Sequence, residues 1–144
     1  MHISYQVQAG DFSNAGNVSS NIKKILKQLN FHPSLIKRII IALYEAEVNV
    51  VAHSYGGEVV CNIAPDTVII VVTDTGPGIP DLSLAMTEGW STATAEVREM
   101  GFGAGMGLAN IRKNADELTI DTGANQPTSI TMHFSVSTEV KNEP

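Results

Sequence analysis

Apolar residues recur along this chain with two different periods. Ile3, Tyr5, Val7 and Ala9 alternate with polar neighbours, which predicts a half-buried strand. Gly10 to Gly16 is turn-like, and Asp11, Ser13 and Asn14 offer helix caps. Val18, Ile22, Ile25, Leu26 and Leu29 then follow helical spacing, with Lys23, Lys24 and Lys27 on the opposite side. That is an amphipathic helix whose lysines form a solvated face, or a basic face for an acidic partner. Phe31-His32-Pro33-Ser34 opens a second helix, expected from about Leu35 to about Ala52. Its sequence, LIKRIIIALYEAEVNVVA, is apolar nearly all round and should lie deep in the fold.

Ser54-Tyr55-Gly56-Gly57 ends that helix, and the period then changes to strand. Glu58 to Ala64 and Thr67 to Thr73 predict a hairpin turning at Pro65-Asp66. Asp74 to Gly107 is rich in Gly, Ser and Thr and too long for an idle connection, which predicts a lid or binding loop. A third helix is expected from about Leu108 to Asn114, then strands over Leu118 to Thr122 and Ser129 to Val136. No internal repeat is present. The expectation is one domain over residues 1–137 and a frayed tail over 138–144.

Composition narrows the function classes. A length of 144 residues and an apolar fraction of 43% suit one globular domain with a real core. The formal net charge of -6 argues against non-specific binding to nucleic acid or to an anionic membrane surface, but not against a nucleotide held by local positive potential. No run approaches a bilayer span, and Met1 to Gln6 lacks the regions of a signal peptide, so a cytoplasmic location is expected. The single cysteine, Cys61, lies in the apolar run Val59 to Ile63 and is expected as a buried core thiol. With no His/Cys cluster and no nucleophile triad, metalloenzyme and acyl-transfer chemistries drop out.

Three features carry chemistry. Glu45 and Asn49, four residues apart on the second helix, share one face amid aliphatic neighbours. Burying them is costly unless something satisfies them. An Asn oxygen suits magnesium shared with phosphate and water, and a carboxylate one turn away could take a proton from an attacking hydroxyl. A structural polar pair is the other reading. Asp74-Thr75-Gly76-Pro77-Gly78-Ile79 follows a strand directly. Its Asp could accept from an exocyclic amine, as adenine presents, and Gly76 and Gly78 would let backbone approach a flat base. Gly101-Phe102-Gly103-Ala104-Gly105-Met106-Gly107-Leu108 precedes the third helix. Such alternation frees backbone N–H groups to converge on an anion beside a helix N-terminus. No Gly-Lys-Ser/Thr follows, so it is not a Walker A loop, and no strand immediately precedes it, against a dinucleotide fingerprint.

Taken in order, E-x-x-x-N on a helix, D-x-G-x-G-I after a strand, a long loop, then G-x-G-x-G-x-G and a helix, the chain resembles the GHKL ATPase superfamily and its N, G1 and G2 boxes. Within it, the likeness is greatest to stand-alone bacterial anti-sigma-factor serine kinases and partner-switching switch kinases. Asp81 to Thr92 looks like the switch-kinase segment before the lid, Asp116-Glu117-Leu118 like the acidic turn after the lid helix, and Gly105-Met106-Gly107 like the anti-sigma kinase glycine motif. The resemblance implies a Bergerat fold: an α/β two-layer sandwich, with a mixed, mainly antiparallel sheet, helices on one face and a Gly-rich lid over ATP. It implies Glu45 as general base, Asn49 as magnesium ligand, and Asp74 on the adenine amine with Gly76 and Gly78 shaping that pocket. Gly103, Gly105, Met106, Gly107 and Leu108 would present backbone to the phosphates, and Thr92 joins the nucleotide residues. Thr128 would lie near adenine, although Pro127 stands before it where the family usually has glycine.

The implied activity is transfer of the ATP γ-phosphate to a serine or threonine of a small STAS-domain protein; some relatives also sequester a sigma factor, and a homodimer stays open. Competing readings are a non-catalytic ATP-sensing anti-sigma module, a small GHKL ATPase and a histidine-kinase catalytic domain. The stretch from Ala93 to Phe102 is longer than the switch-kinase lid, so Arg98 has two readings. It could clamp the γ-phosphate or be a solvated loop charge, the latter having the better claim. Glu47, two residues beyond Glu45, should point elsewhere, in a surface or capping role. His53 is expected to pack or hydrogen-bond at a helix end, and Trp90 to pack the loop against the body.

Overall fold

The structure is a computed structural model, and it describes residues 1–76, 107–122 and 126–136. Five strands form one sheet: β1 (His2–Val7), β2 (Gly57–Ile63), β3 (Thr67–Asp74), β4 (Glu117–Asp121) and β5 (Thr128–Ser135). Their order across the sheet is β1-β2-β3-β5-β4, and all four pairings are antiparallel. Among the described residues the α-helices are α1 (Asn17–Gln28), α2 (Pro33–His53) and α3 (Gly107–Asn114).

Register sorts the side chains onto two faces. Rows such as Tyr5, Val59, Val72, Ile130 and Ile120, or Ile3, Cys61, Ile70, Met132 and Leu118, run across all five strands on one face. This face joins Ile22, Leu26, Leu35, Ile39, Leu43 and Ile111 of the helices in one core. The opposite face carries Gln6, Glu58, Thr73, Ser129 and Asp121 in a polar row. Helices therefore cover one side of the sheet, the two-layer arrangement the resemblance implied. Cys61 is fully buried in that core, as its apolar run predicts.

The local signals explain most element ends. Pro33 occupies the first turn of α2, and His32 caps it by accepting from the Ser34 N–H at 3.1 Å. The end of α1 is closed by Asn30, whose φ of 61° lets the Phe31 N–H reach the Leu26 carbonyl at 3.2 Å. Lys23, Lys24 and Lys27 are exposed, as expected.

The start of α1 corrects the sequence reading. Asp11, Ser13 and Asn14 do not cap it; their side chains bond to one another, Asp11 accepting from Ser13 Oγ and Asn14 Nδ2. Gly16 holds the cap position at a φ of 96°, which glycine tolerates and most residues do not. The capping carboxylate comes from α2. Glu47 is buried, and it accepts from the N–H groups of Gly16 (2.9 Å), Val18 (3.1 Å) and Ser19 (3.0 Å) and from Ser19 Oγ (2.7 Å). Of the surface and capping roles, it has the second, for a helix other than its own. An anion there also meets the positive end of the α1 dipole.

Candidate active site

The site builds from α2 outward. Glu45 and Asn49 are both half-buried, so their polar atoms stay reachable while the helix around them is packed. What faces them is the N-terminus of α3. A Cβ placed on Gly107 would lie 3.4 Å from Asn49 Oδ1 and 3.5 Å from both Asn49 Nδ2 and Glu45 Oε2. The first residue of α3 thus rests on the carboxylate and carboxamide of α2. A helix start offers unpaired N–H groups and a positive dipole end, so it meets an anion favourably.

Asn110, one turn further along α3, donates from Nδ2 to Glu45 Oε1 at 3.3 Å. The contact continues at the far end of α3. There Arg38 donates to the Asn114 carbonyl from Nε (3.2 Å) and Nη2 (3.0 Å), and pairs with Asp116 at 2.8 Å. Asp116 in turn accepts from the Ser135 N–H through Oδ2. Residues 107, 110 and 114 of α3 thus meet residues 49, 45 and 38 of α2, an antiparallel pair with a polar seam. Leu108, beside that seam, is buried in the core.

The second part of the site lies at the other end of α2. Asp74 closes β3 on the helix-covered face, in the row that contains Val7, Gly57 and Thr128. Its Oδ1 accepts from the Gly76 N–H at 2.9 Å and from the Thr128 N–H at 3.3 Å. Oδ2 has no hydrogen-bond partner among the described residues. Thr128 is buried, and its Oγ1 bonds Thr122 Oγ1 at 2.7 Å. Gly76 abuts the end of α2, since a Cβ there would fall 2.7 Å from Ser54 Cβ and 2.8 Å from Ser54 Cα. From Glu45 to Ser54 the helix axis advances roughly 13 Å. Along its length α2 therefore meets α3 through a carboxylate and carboxamide near its middle and the Asp74 turn at its C-terminal end.

The structure brings Glu45 and Asn49 together with Gly107, and Asp74 together with Gly76 and Thr128. Gly78, Thr92, Arg98, Gly103, Gly105 and Met106 lie outside the described residues, as does Trp90. His53 is the last residue of α2. Sequence reasoning missed Asn110; its only signal was an amide at i+3 from Gly107, on the helix that the glycine motif opens. Among the described residues no three His, Cys, Asp or Glu side chains converge on a metal site. A cation at Asn49 could share that oxygen with phosphate and water, which is magnesium's habit. Among the described residues no helix is long and apolar enough to cross a membrane.

The family model for the histidine kinase-like ATPase domain matches residues 10–134. The serine/threonine-protein kinase RsbT of Bacillus subtilis (strain 168) is 28% identical over 112 residues, 75% of this chain and 78% of that protein. Among solved structures, the RsbU and RsbW domains of Rv1364c from Mycobacterium tuberculosis superpose with a TM-score of 0.62 at 21% identity, over 93% of this chain. This chain spans 31% of the length of that one. The mycobacterial sensor histidine kinase MprB superposes with a TM-score of 0.50 at 19% identity, covering 94% of this chain and 97% of that one. At such identities the two structural likenesses speak to the fold.

Proposed function

The chain belongs to the histidine kinase-like ATPase domain family, and from that premise we propose that it is an ATP- and magnesium-dependent serine/threonine protein kinase whose acceptor is a STAS-domain protein of a bacterial partner-switching module. The observation that carries the reading is the meeting of the Glu45 carboxylate and the Asn49 carboxamide with the start of α3 at Gly107. Likeness to the Bacillus subtilis kinase RsbT supports it over a simple ATPase. Sequestration of a sigma factor and assembly as a homodimer belong to the same reading.

The candidate site residues divide the tasks. Asp74 Oδ2 accepts from the adenine amine, while Gly76 and Thr128 N–H groups hold Oδ1 and so fix the carboxylate. Gly78, Thr92 and the backbone of Gly103, Gly105, Met106, Gly107 and Leu108 are assigned to the nucleotide, and Arg98 to a γ-phosphate clamp. Asn49 Oδ1 would hold the magnesium ion, which when bound would offset the charge of the phosphates. Glu45 takes the proton of the acceptor hydroxyl as its oxygen bonds to the γ-phosphorus and the bond to the β-phosphate oxygen breaks, releasing ADP. The positive end of α3 favours the developing charge.

The test is incubation with labelled ATP, magnesium and candidate STAS-domain proteins, followed by phosphosite mapping. Label on a serine or threonine of an acceptor, lost in Glu45→Ala, is the expected result. Transfer that persists in Glu45→Ala would remove the base assignment. Free phosphate with no labelled acceptor would favour a plain ATPase.

A further inference from the structure

We propose that Asn110 is a positioning residue for Glu45, an inference that rests on the kinase reading above. Asn110 is half-buried and sits on α3 between the buried Leu108, Ala109 and Ile111. Asparagine is a poor helix-interior residue, and an aliphatic side chain would serve packing between two helices better. What the amide does that an aliphatic cannot is donate from Nδ2 to Glu45 Oε1, at 3.3 Å. Apo contacts of this kind are often long and tighten when substrate is bound.

The consequence for Glu45 is directional. A carboxylate at the end of a flexible side chain turns freely unless one oxygen is held. Asn110 holds Oε1, and Oε2 is the oxygen beside Gly107. Among the described residues, the oxygen left unbonded is therefore the one next to the start of α3, where a phosphate would lie and where the acceptor hydroxyl must approach. A lysine or arginine in place of Asn110 would also hold the carboxylate, but its charge would make Glu45 a weaker base. A neutral amide orients the group without setting a full positive charge beside it. Register adds to the case: Arg38 fixes the other end of α3 through Asn114 and Asp116, so the seam sets Asn110 opposite Glu45 from both sides.

The experiment measures steady-state transfer to the acceptor by the full chain and its Asn110→Ala, Asn110→Asp and Asn110→Gln variants, with thermal melting of each. Loss of one donor to a charged group should lower kcat about 10-fold in Asn110→Ala, with the KM for ATP within about 3-fold of the parent. Asn110→Asp, isosteric but repelling Glu45, should be slower still, and Asn110→Gln, which keeps the donor, should recover part of the rate. In a Glu45→Gln background, Asn110→Ala should cost nothing further. An unchanged kcat in Asn110→Ala, a loss confined to KM, or a full additional loss in the Glu45→Gln background would each overturn the role. If Asn110→Ala does not fold, the isosteric Asn110→Asp carries the comparison, and a kcat equal to the parent's would overturn it. Failure of the kinase reading looks different: the unmodified chain then labels no acceptor at all.

Discussion

Glu45 and Glu47 stand two residues apart on α2 and have opposite surroundings. Glu45 is half-buried and faces α3, whereas Glu47 is sealed inside and spends both oxygens on the start of α1. Removing Glu47 leaves the buried N–H groups of Val18 and Ser19, and the part-buried one of Gly16, without their acceptor. Glu47→Ala should thus lower stability by about 3 kcal/mol, read as a shift in the urea midpoint. Glu45→Gln should do little to that midpoint and instead lower phosphate transfer by about 100-fold with ATP affinity retained. The helical pattern showed that these carboxylates point in different directions, but not where Glu47 goes. Its partners lie 28 to 31 residues earlier in the chain, and helical spacing carries no information about contacts that distant. Asn110 was hidden for the same reason, its partner lying 65 residues away.

At the scale of elements, the ends of helices do most of the positioning. The Asp74 turn rests on the end of α2 because Gly76 has no side chain to collide with Ser54. Gly76→Ala would place a methyl 2.7 Å from Ser54 Cβ, with the Ser54 backbone 2.8 Å away and unable to yield cheaply. It should lower ATP affinity at least 10-fold, measured by fluorescence or calorimetric titration, and cost about 1–3 kcal/mol of stability. The need for glycine here was legible, though for a different stated reason: the sequence suggested room for a base, and the structure supplies a helix end to avoid. The elements themselves were legible to within a residue or two, since each has a strong period and a marked boundary, such as Pro33 before α2 or Pro65-Asp66 between β2 and β3. Caps formed from elsewhere in the chain were not, as the Asp11 to Asn14 segment shows.

For the molecule as a whole, strand order matters most. Because β5 inserts between β3 and β4, Asp74 and Thr128 become direct neighbours across 54 residues of chain. Order in an antiparallel sheet depends on which edges find each other, which alternation alone does not state, so this pairing was reached only through family resemblance. The core also sets a pH response. Burial pushes the Cys61 thiol up to about 11, with the Met1 ammonium opposing slightly. The folded chain therefore keeps the proton where the unfolded chain, near the ordinary value of 9.0, releases it. Stability present below pH 9 should decline as pH rises toward 11, and Cys61→Ala should flatten that decline in chemical denaturation. In the native state the same thiol should resist alkylation until the chain unfolds.

The claim that supports all the others is that α2, α3 and the Asp74 turn enclose an adenine nucleotide. Calorimetric titration with ATP and with GTP, in magnesium, on the parent chain and on Asp74→Ala tests it most directly. The account predicts saturable heat from ATP, little or none from GTP, and loss of the ATP signal in Asp74→Ala. Equal binding of ATP by the parent and Asp74→Ala, or no ATP binding by the parent at high protein concentration, would contradict it.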